Sequence, residues 1–295
     1  MTTTTLIALL LAVVGTCVHQ VEGVMIKKYN EKHESGGYIF IALVSLVAMV
    51  FFFLTDTGGL NFTLEMLPYG ILSGAFYCMA SILTFVAYGC GSFVLSNLFL
   101  SYALLFSVFY GLFVLSEPAT AFTYAGLLLM LVSVFLVRGE KKEPGAEKVK
   151  ISLKWIVCIT LSVIGSGMFG VMQKLQQVKF TGACDNEFMI VTLGFTTVTM
   201  LVLGIIKDGK QIGYIFRHGA PYAGIAGVAN GATNLMSLMI YSMIPISIAA
   251  PTRAGIKILV SFLLALFIFK EKLSKRQIAG VVLGTAALII LNLDI

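Results

Sequence analysis

Charge is scarce in this chain: Asp, Glu, Lys and Arg together make up 12% of its 295 residues, while 58% are hydrophobic. A soluble domain carries roughly 25% charge, and this much apolar surface cannot be hidden inside one water-soluble globule of the same size. A soluble enzyme and a disordered polar tail are therefore excluded. The apolar residues run for about twenty at a stretch instead of alternating with polar ones, which excludes a porin-type β-barrel. No two of the five cysteines (Cys17, Cys78, Cys90, Cys158, Cys184) form a C-x-x-C pair or a metal-ligand spacing; they read as small packing residues within apolar runs. Catalytic signatures are missing as well: there is no Walker loop, H-E-x-x-H, G-x-S-x-G or mid-membrane aspartate pair. The expectation is a protein without enzymatic activity, metal or cofactor. The net charge of +6 comes from basic residues in short gaps between apolar runs, with no continuous patch interleaved with aromatics, so nucleic acid is not an expected partner.

What is present is a series of apolar runs, each long enough to cross about 30 Å of hydrocarbon. Ten candidate spans follow, at 4–26, 37–55, 66–88, 93–115, 119–137, 153–172, 187–206, 220–242, 245–269 and 277–293. The first has no Lys or Arg before it and exceeds the length of a signal-peptide core, so it is expected to remain as a helix. Connections are short except the charged stretch from Arg138 to Lys150, broken at Pro144-Gly145. This divides the chain into a first five-helix unit at 1–140, a connecting loop at 141–152 and a second five-helix unit at 153–295.

The two units repeat. A shift of 153 residues places Pro68, Tyr69, Gly74 and Tyr88 on Pro221, Tyr222, Gly227 and Tyr241. A shift of 154 places Ser107, Leu112, Phe113, Glu117, Ala125, Gly126 and Leu129 on Ser261, Leu266, Phe267, Glu271, Ala279, Gly280 and Leu283. One register held through two spans and their turn points to duplication. Five spans are an odd number, so the second unit enters the bilayer from the opposite side, giving the inverted repeat typical of secondary transporters. Phe113, Glu117, Pro118 and Gly126, with their second copy running through Glu271-Lys272-Leu273-Ser274-Lys275-Arg276 to Gly280, resemble the EamA-type repeat of the drug/metabolite transporter superfamily. That resemblance covers nearly the whole chain. It implies an all-α, multi-pass transporter that carries a small metabolite in a cavity between the halves; the expected setting is the cell (inner or plasma) membrane, and the expected state a monomer or homodimer.

Basic residues orient the chain. With the amino terminus outside, the inner connections hold sixteen Lys and Arg side chains, and the outer ones hold only Lys174 and Lys179. The positive-inside rule then places both termini outside.

A charge at the centre of a span costs about 2.5–3.5 kcal/mol on insertion scales, so Arg253 and Lys257, one turn apart in the ninth span, are the leading candidates for substrate contact. A bound anion would offset their cost; a salt bridge to Glu22 or another acid, or snorkelling of Arg253, is the structural alternative. Arg253 and Lys257 are also similar to the lysine-bearing ninth helix of the nucleotide-sugar and sugar-phosphate branch, where the resemblance implies a Lys that neutralises phosphate. The equivalent first-repeat positions are Phe99 and Ala103, so the cationic pair belongs to one half only.

Two polar stripes occupy single helical faces: Asn230, Asn234, Ser237 and Tyr241 in the eighth span, and Tyr77, Ser81, Thr84 and Tyr88 in the third. Facing lipid they would leave hydrogen-bonding groups unpaired, so they are expected to face inward, as a cavity wall or as interhelical contacts. Asn97 and Ser101 are further candidates for that wall. In the first span Thr16, His19, Gln20 and Gly23 share a face; Glu22 lies beside it, within reach of headgroups. His19, with Glu22 as second choice, is the candidate for coupling to a proton. Glu117 and Glu271 are expected to cap turns between helices. The reading is a secondary transporter of a small polar metabolite working by alternating access, with an organic anion or zwitterion bearing carboxylate or phosphate as favoured substrate. Export of amino acids or amphipathic drugs is the alternative within transport, and a non-transporting membrane sensor or scaffold is the alternative of another class.

Overall fold

The computed structural model describes residues 3–32, 36–91, 93–137, 152–180, 184–209, 212–267 and 275–291. Helices account for nearly all of them. In chain order they are α1 (Thr3–Lys32), α2 (Gly37–Thr55), α3 (Leu67–Cys90), α4 (Phe93–Leu100), α5 (Leu104–Phe109), α6 (Ala121–Val137), α7 (Leu153–Phe180), α8 (Asp185–Asp208), α9 (Ile212–Met243), α10 (Ile246–Phe267) and α11 (Lys275–Leu291). A 3₁₀ turn at Ser101–Ala103 joins α4 to α5, and a π-helical turn at Tyr110–Val114 ends α5.

Seven of these helices are long and apolar enough to cross a membrane, and three shorter apolar helices lie at Ser101–Val114, Ala121–Ser133 and Ile278–Ala287. Large apolar side chains face outward all around, among them Leu10, Phe109, Phe113, Leu128, Val198 and Val282. Water would not tolerate such a surface, whereas acyl chains do. The protein is an all-helical, multi-pass membrane protein.

Several helices outrun the spans read from hydropathy. The first extends to Lys32 instead of 26, the sixth predicted span continues to Phe180 instead of 172, and α9 begins at Ile212 instead of 220. Hydropathy measures the hydrocarbon thickness only, while Lys, Glu and Gln are good helix formers that prolong the coil beyond it. This moves Lys174 out of the outer connection, where the charge count had put it, into the buried body of α7. The cysteines divide too. Cys78 and Cys158 are buried within helices, but Cys17 is exposed and Cys184 stands at the turn that opens α8.

The helices pack as a ring. α1 lies against α9, α9 against α2, α2 against α8, α8 against α3 and α3 against α7; α7 then meets α4 and α5, α5 meets α10, and α10 returns to α1. α6 and α11 pack against each other outside this ring, with α11 also against α10. Close approach needs small residues at the contacts: a side chain at Gly165 of α7 would come within 2.9 Å of the Ala80 nitrogen and the Phe76 carbonyl oxygen of α3. The connecting loop at 141–152 falls almost wholly outside the described residues, as do Glu271 and Phe269.

Candidate functional site: a polar cavity inside the ring

The ring lines a cavity of ≈ 240 Å³. α1 contributes Thr16, His19 and Glu22; α3 contributes Tyr77, Ser81, Thr84 and Tyr88; α9 contributes Asn230, Thr233, Asn234, Ser237 and Tyr241; and α10 contributes Arg253 and Lys257. Both polar stripes and the cationic pair, named from one-dimensional spacing, thus converge on one space.

A ladder of side-chain amides crosses the cavity wall. Gln173 of α7 donates to Asn234 Oδ1 at 3.2 Å, and Asn234 Nδ2 donates to Asn230 Oδ1 at 3.0 Å. Asn230 Nδ2 in turn donates to Glu22 Oε1 at 3.0 Å and to Tyr77 Oη at 2.7 Å. Both amide hydrogens of Asn230 are thereby used. A buried amide needs such partners, since leaving one unmade costs about 1–3 kcal/mol. Glu22 ends the ladder, and its other oxygen, Oε2, lies 3.3 Å from His19 Nδ1.

Glu22 corrects the sequence reading, because it is 8% exposed and lines the cavity instead of reaching toward headgroups. The interior amides of α9 offer its carboxylate a donor that a position turned toward lipid would lack. His19 retains 40% of its side-chain exposure although helices surround it, because it faces open cavity space.

Among the described residues neither Arg253 nor Lys257 comes within 4 Å of an acidic oxygen. Arg253 Nη1 donates to Tyr241 Oη at 3.3 Å, with the guanidinium carbon 5.9 Å from that ring's centroid. Lys257 lines the cavity, while its backbone oxygen accepts from Gln20 Nε2 at 3.5 Å.

Not every stripe residue offers a free polar group. Ser237 donates to the Thr233 carbonyl in its own helix at 2.7 Å, and the Thr84 hydroxyl pairs with that of Ser162 on α7 at 2.5 Å. Asn97 does not line the cavity; it stands behind the wall, where its Oδ1 accepts the Tyr88 hydroxyl at 3.0 Å. The α4 backbone turns it toward the neighbouring tyrosine, so it orients Tyr88 without facing the cavity. Ser101 does reach the lining, with its hydroxyl bonded to the Asn97 carbonyl at 3.0 Å.

Glu117 performs a capping role at a place the sequence did not indicate. The π-helical turn and the left-handed Ser116 (φ 51°) bend the chain back, so the carboxylate accepts the N–H groups of Ile246 and Ser247 at 2.9 Å each. It caps the start of α10, 129 residues away, where unpaired N–H groups and the helix dipole favour an anion. Gly111 permits this approach, since a Cβ there would stand 2.5 Å from Glu117 Oε2 and 2.9 Å from Ile246 Cγ2. Glu117 Oε1 also lies 3.6 Å from the Lys174 ammonium, which donates to the Tyr241 carbonyl at 3.0 Å. Sequence reasoning missed Gln173, Thr233 and Lys174. Gln173 and Lys174 carried a signal, being polar residues inside a helix whose hydropathy alone had ended it at 172.

No family model matches the chain, and no curated protein matches it. Among solved structures 28 chains match. One, described as "Crystal structure of protein", has a TM-score of 0.69, with 98% of this chain and 99% of that one covered at 13% identity. At that identity the likeness is one of fold, and it extends over the whole length of both chains.

Proposed function

We propose that the chain is a secondary carrier of the EamA type, moving a small polar metabolite through the cavity by alternating access, with an organic anion or zwitterion as substrate. The observation that carries this reading is the pair Arg253 and Lys257, which face a polar cavity without an acidic partner among the described residues. Half-buried cations within a membrane span and without an acidic partner are costly, and a carboxylate or phosphate supplies the missing charge. Glu22 on the same cavity favours a zwitterion over a simple anion, because it offers an acceptor for a substrate ammonium group.

The packing supports ten spans in two inverted halves. The contact of α1 with α9 has its counterpart in that of α7 with α3, and the contact of α2 with α9 has its counterpart in that of α8 with α3. Tyr77 and Asn230, related by the 153-residue shift, hydrogen-bond directly to each other, as equivalent residues beside a two-fold axis do. The proposal includes both termini outside a cell membrane, a monomer or homodimer, and His19 with Glu22 as the proton-coupling pair.

The test uses purified protein. A thermal-shift panel of carboxylates, phosphates and amino acids identifies a ligand through stabilisation of the native state, and uptake of that ligand into reconstituted vesicles establishes transport. Stabilisation without uptake would favour the sensor reading; uptake of apolar cations alone would overturn the anion assignment.

A further inference from the structure

Two lysines occupy corresponding places at opposite ends of the cavity. The Lys27 ammonium on α1 donates to the Tyr88 carbonyl of α3 at 2.9 Å and to the Gly91 carbonyl at 3.4 Å. The Lys174 ammonium on α7 donates to the Tyr241 carbonyl of α9 at 3.0 Å. Tyr88 and Tyr241 are themselves a pair under the 153-residue shift, and each stands in the last turn of its helix, where carbonyls lack partners further along the chain.

Each lysine stands where two helices touch across the ring: α1, which sits between α9 and α10, also meets α3, and α7 likewise meets α9. The two crossings lie at opposite ends. Lys27 meets Gly91, just past the end of α3, whereas Lys174 meets Glu117, at the far end of the stretch that begins with α4. Tyr88 and Tyr241 both line the cavity, so the crossings border it. At the Lys174 end Glu117 adds a second tie, binding the ammonium and the first N–H groups of α10 at once. With Lys174 and Glu117 only 11% and 9% exposed, water screens this cluster little.

We infer that Lys27 and Lys174 are the two gates of the cavity, each a strap that must release before a ligand passes at its end. The inference rests on the carrier reading. A ligand entering at one end must part α3 from α1; at the other it must part α9 from α7. Each strap is a charge-assisted hydrogen bond to a carbonyl, and losing one shifts an open-to-closed ratio about tenfold or more. Release at one end while the other holds is what alternating access requires.

The test reads access to the cavity from each face. In protein whose five native cysteines are replaced, Ser81→Cys places a thiol on the cavity wall, and a membrane-impermeant thiol reagent is applied to sealed vesicles of both orientations. Gly58→Cys and Gly213→Cys, at exposed positions with no atom within 4 Å of an added side chain, identify the two faces. Lys174→Met should accelerate labelling of Ser81→Cys about tenfold from the Gly58 face alone. Lys27→Met should do so from the Gly213 face alone, and arginine at either position should restore slow labelling. Glu117→Gln, which weakens the same strap more gently, gives the reading if Lys174→Met fails to fold. Unchanged labelling, or acceleration from both faces alike, overturns the gate assignment even where uptake is intact. Face-specific labelling in a protein that transports none of the panel leaves the gates standing and removes the carrier reading.

Discussion

Replacing Lys257 by Met separates a ligand-binding cation from a structural one. Methionine keeps an unbranched side chain of similar length and similar helix propensity, so the perturbation is the loss of one charge facing the cavity. No acidic oxygen lies within 4 Å of Lys257 among the described residues, so its removal breaks no ion pair there. The empty protein should therefore melt at the same temperature or higher, with a gain bounded by the insertion cost of about 2.5–3.5 kcal/mol for a mid-span Lys. A salt-bridged lysine behaves in the opposite way: breaking a buried pair costs about 3–5 kcal/mol, a fall in Tm on the order of 10 °C by the scaling of soluble domains. Ligand binding should weaken whatever the melting temperature does. Loss of a charge-assisted hydrogen bond of about 1.5–3 kcal/mol corresponds to roughly 10- to 150-fold weaker binding of an anion. Melting temperature, ligand affinity and vesicle uptake are measured on one preparation. A stable variant that binds and transports its anion normally would falsify the binding role of Lys257, and a sharply destabilised one would show an ion pair in its place.

Glu117→Ala removes an acceptor for two backbone N–H groups and the counter-ion of Lys174, and should cost about 3–5 kcal/mol; Glu117→Gln should cost less, and thermal melting orders the two. Gly111→Ala pushes a methyl group into the same carboxylate and should destabilise by about 1–3 kcal/mol, so a melt matching the wild type would contradict the close approach seen there. His19 contacts Glu22 in its own helix and shares the cavity with Arg253 and Lys257. Protonation of His19 would turn its contact with Glu22 into an ion pair and give the cavity a further cation, so uptake should depend on pH between about 5 and 8. His19→Gln should flatten that dependence, whereas an unchanged profile with normal uptake assigns His19 to packing. Gly145→Cys, in the connection outside the described residues, should resist an impermeant thiol reagent in intact cells and react after lysis; labelling of intact cells would reverse the assigned orientation.

Much of this protein is legible from one-dimensional pattern, because lipid imposes a strict rule. Backbone groups in hydrocarbon must be satisfied within a helix or a closed barrel, so a long apolar run that does not alternate reads as helical, even where, as at Phe93–Val114, the coil is broken by a 3₁₀ and a π-helical turn. The polar stripes were legible for the same reason: Asn230, Asn234, Ser237 and Tyr241 share a face by helical period alone, and amides in a bilayer have nowhere to point but inward. Helix ends were not legible, since hydropathy stops where the hydrocarbon stops while the coil through Lys27 or Lys174 continues. The pairings were beyond sequence as well. That Glu22 meets Asn230 across 208 residues, that Glu117 caps a helix in the other half, and that Asn97 stands behind Tyr88 depend on the rotation of each helix about its axis. Packing against neighbours on both sides sets that rotation. The sequence determined that these polar groups must find one another inside; only the closing of the ring decided which would touch, and which, like Lys257, would face the cavity.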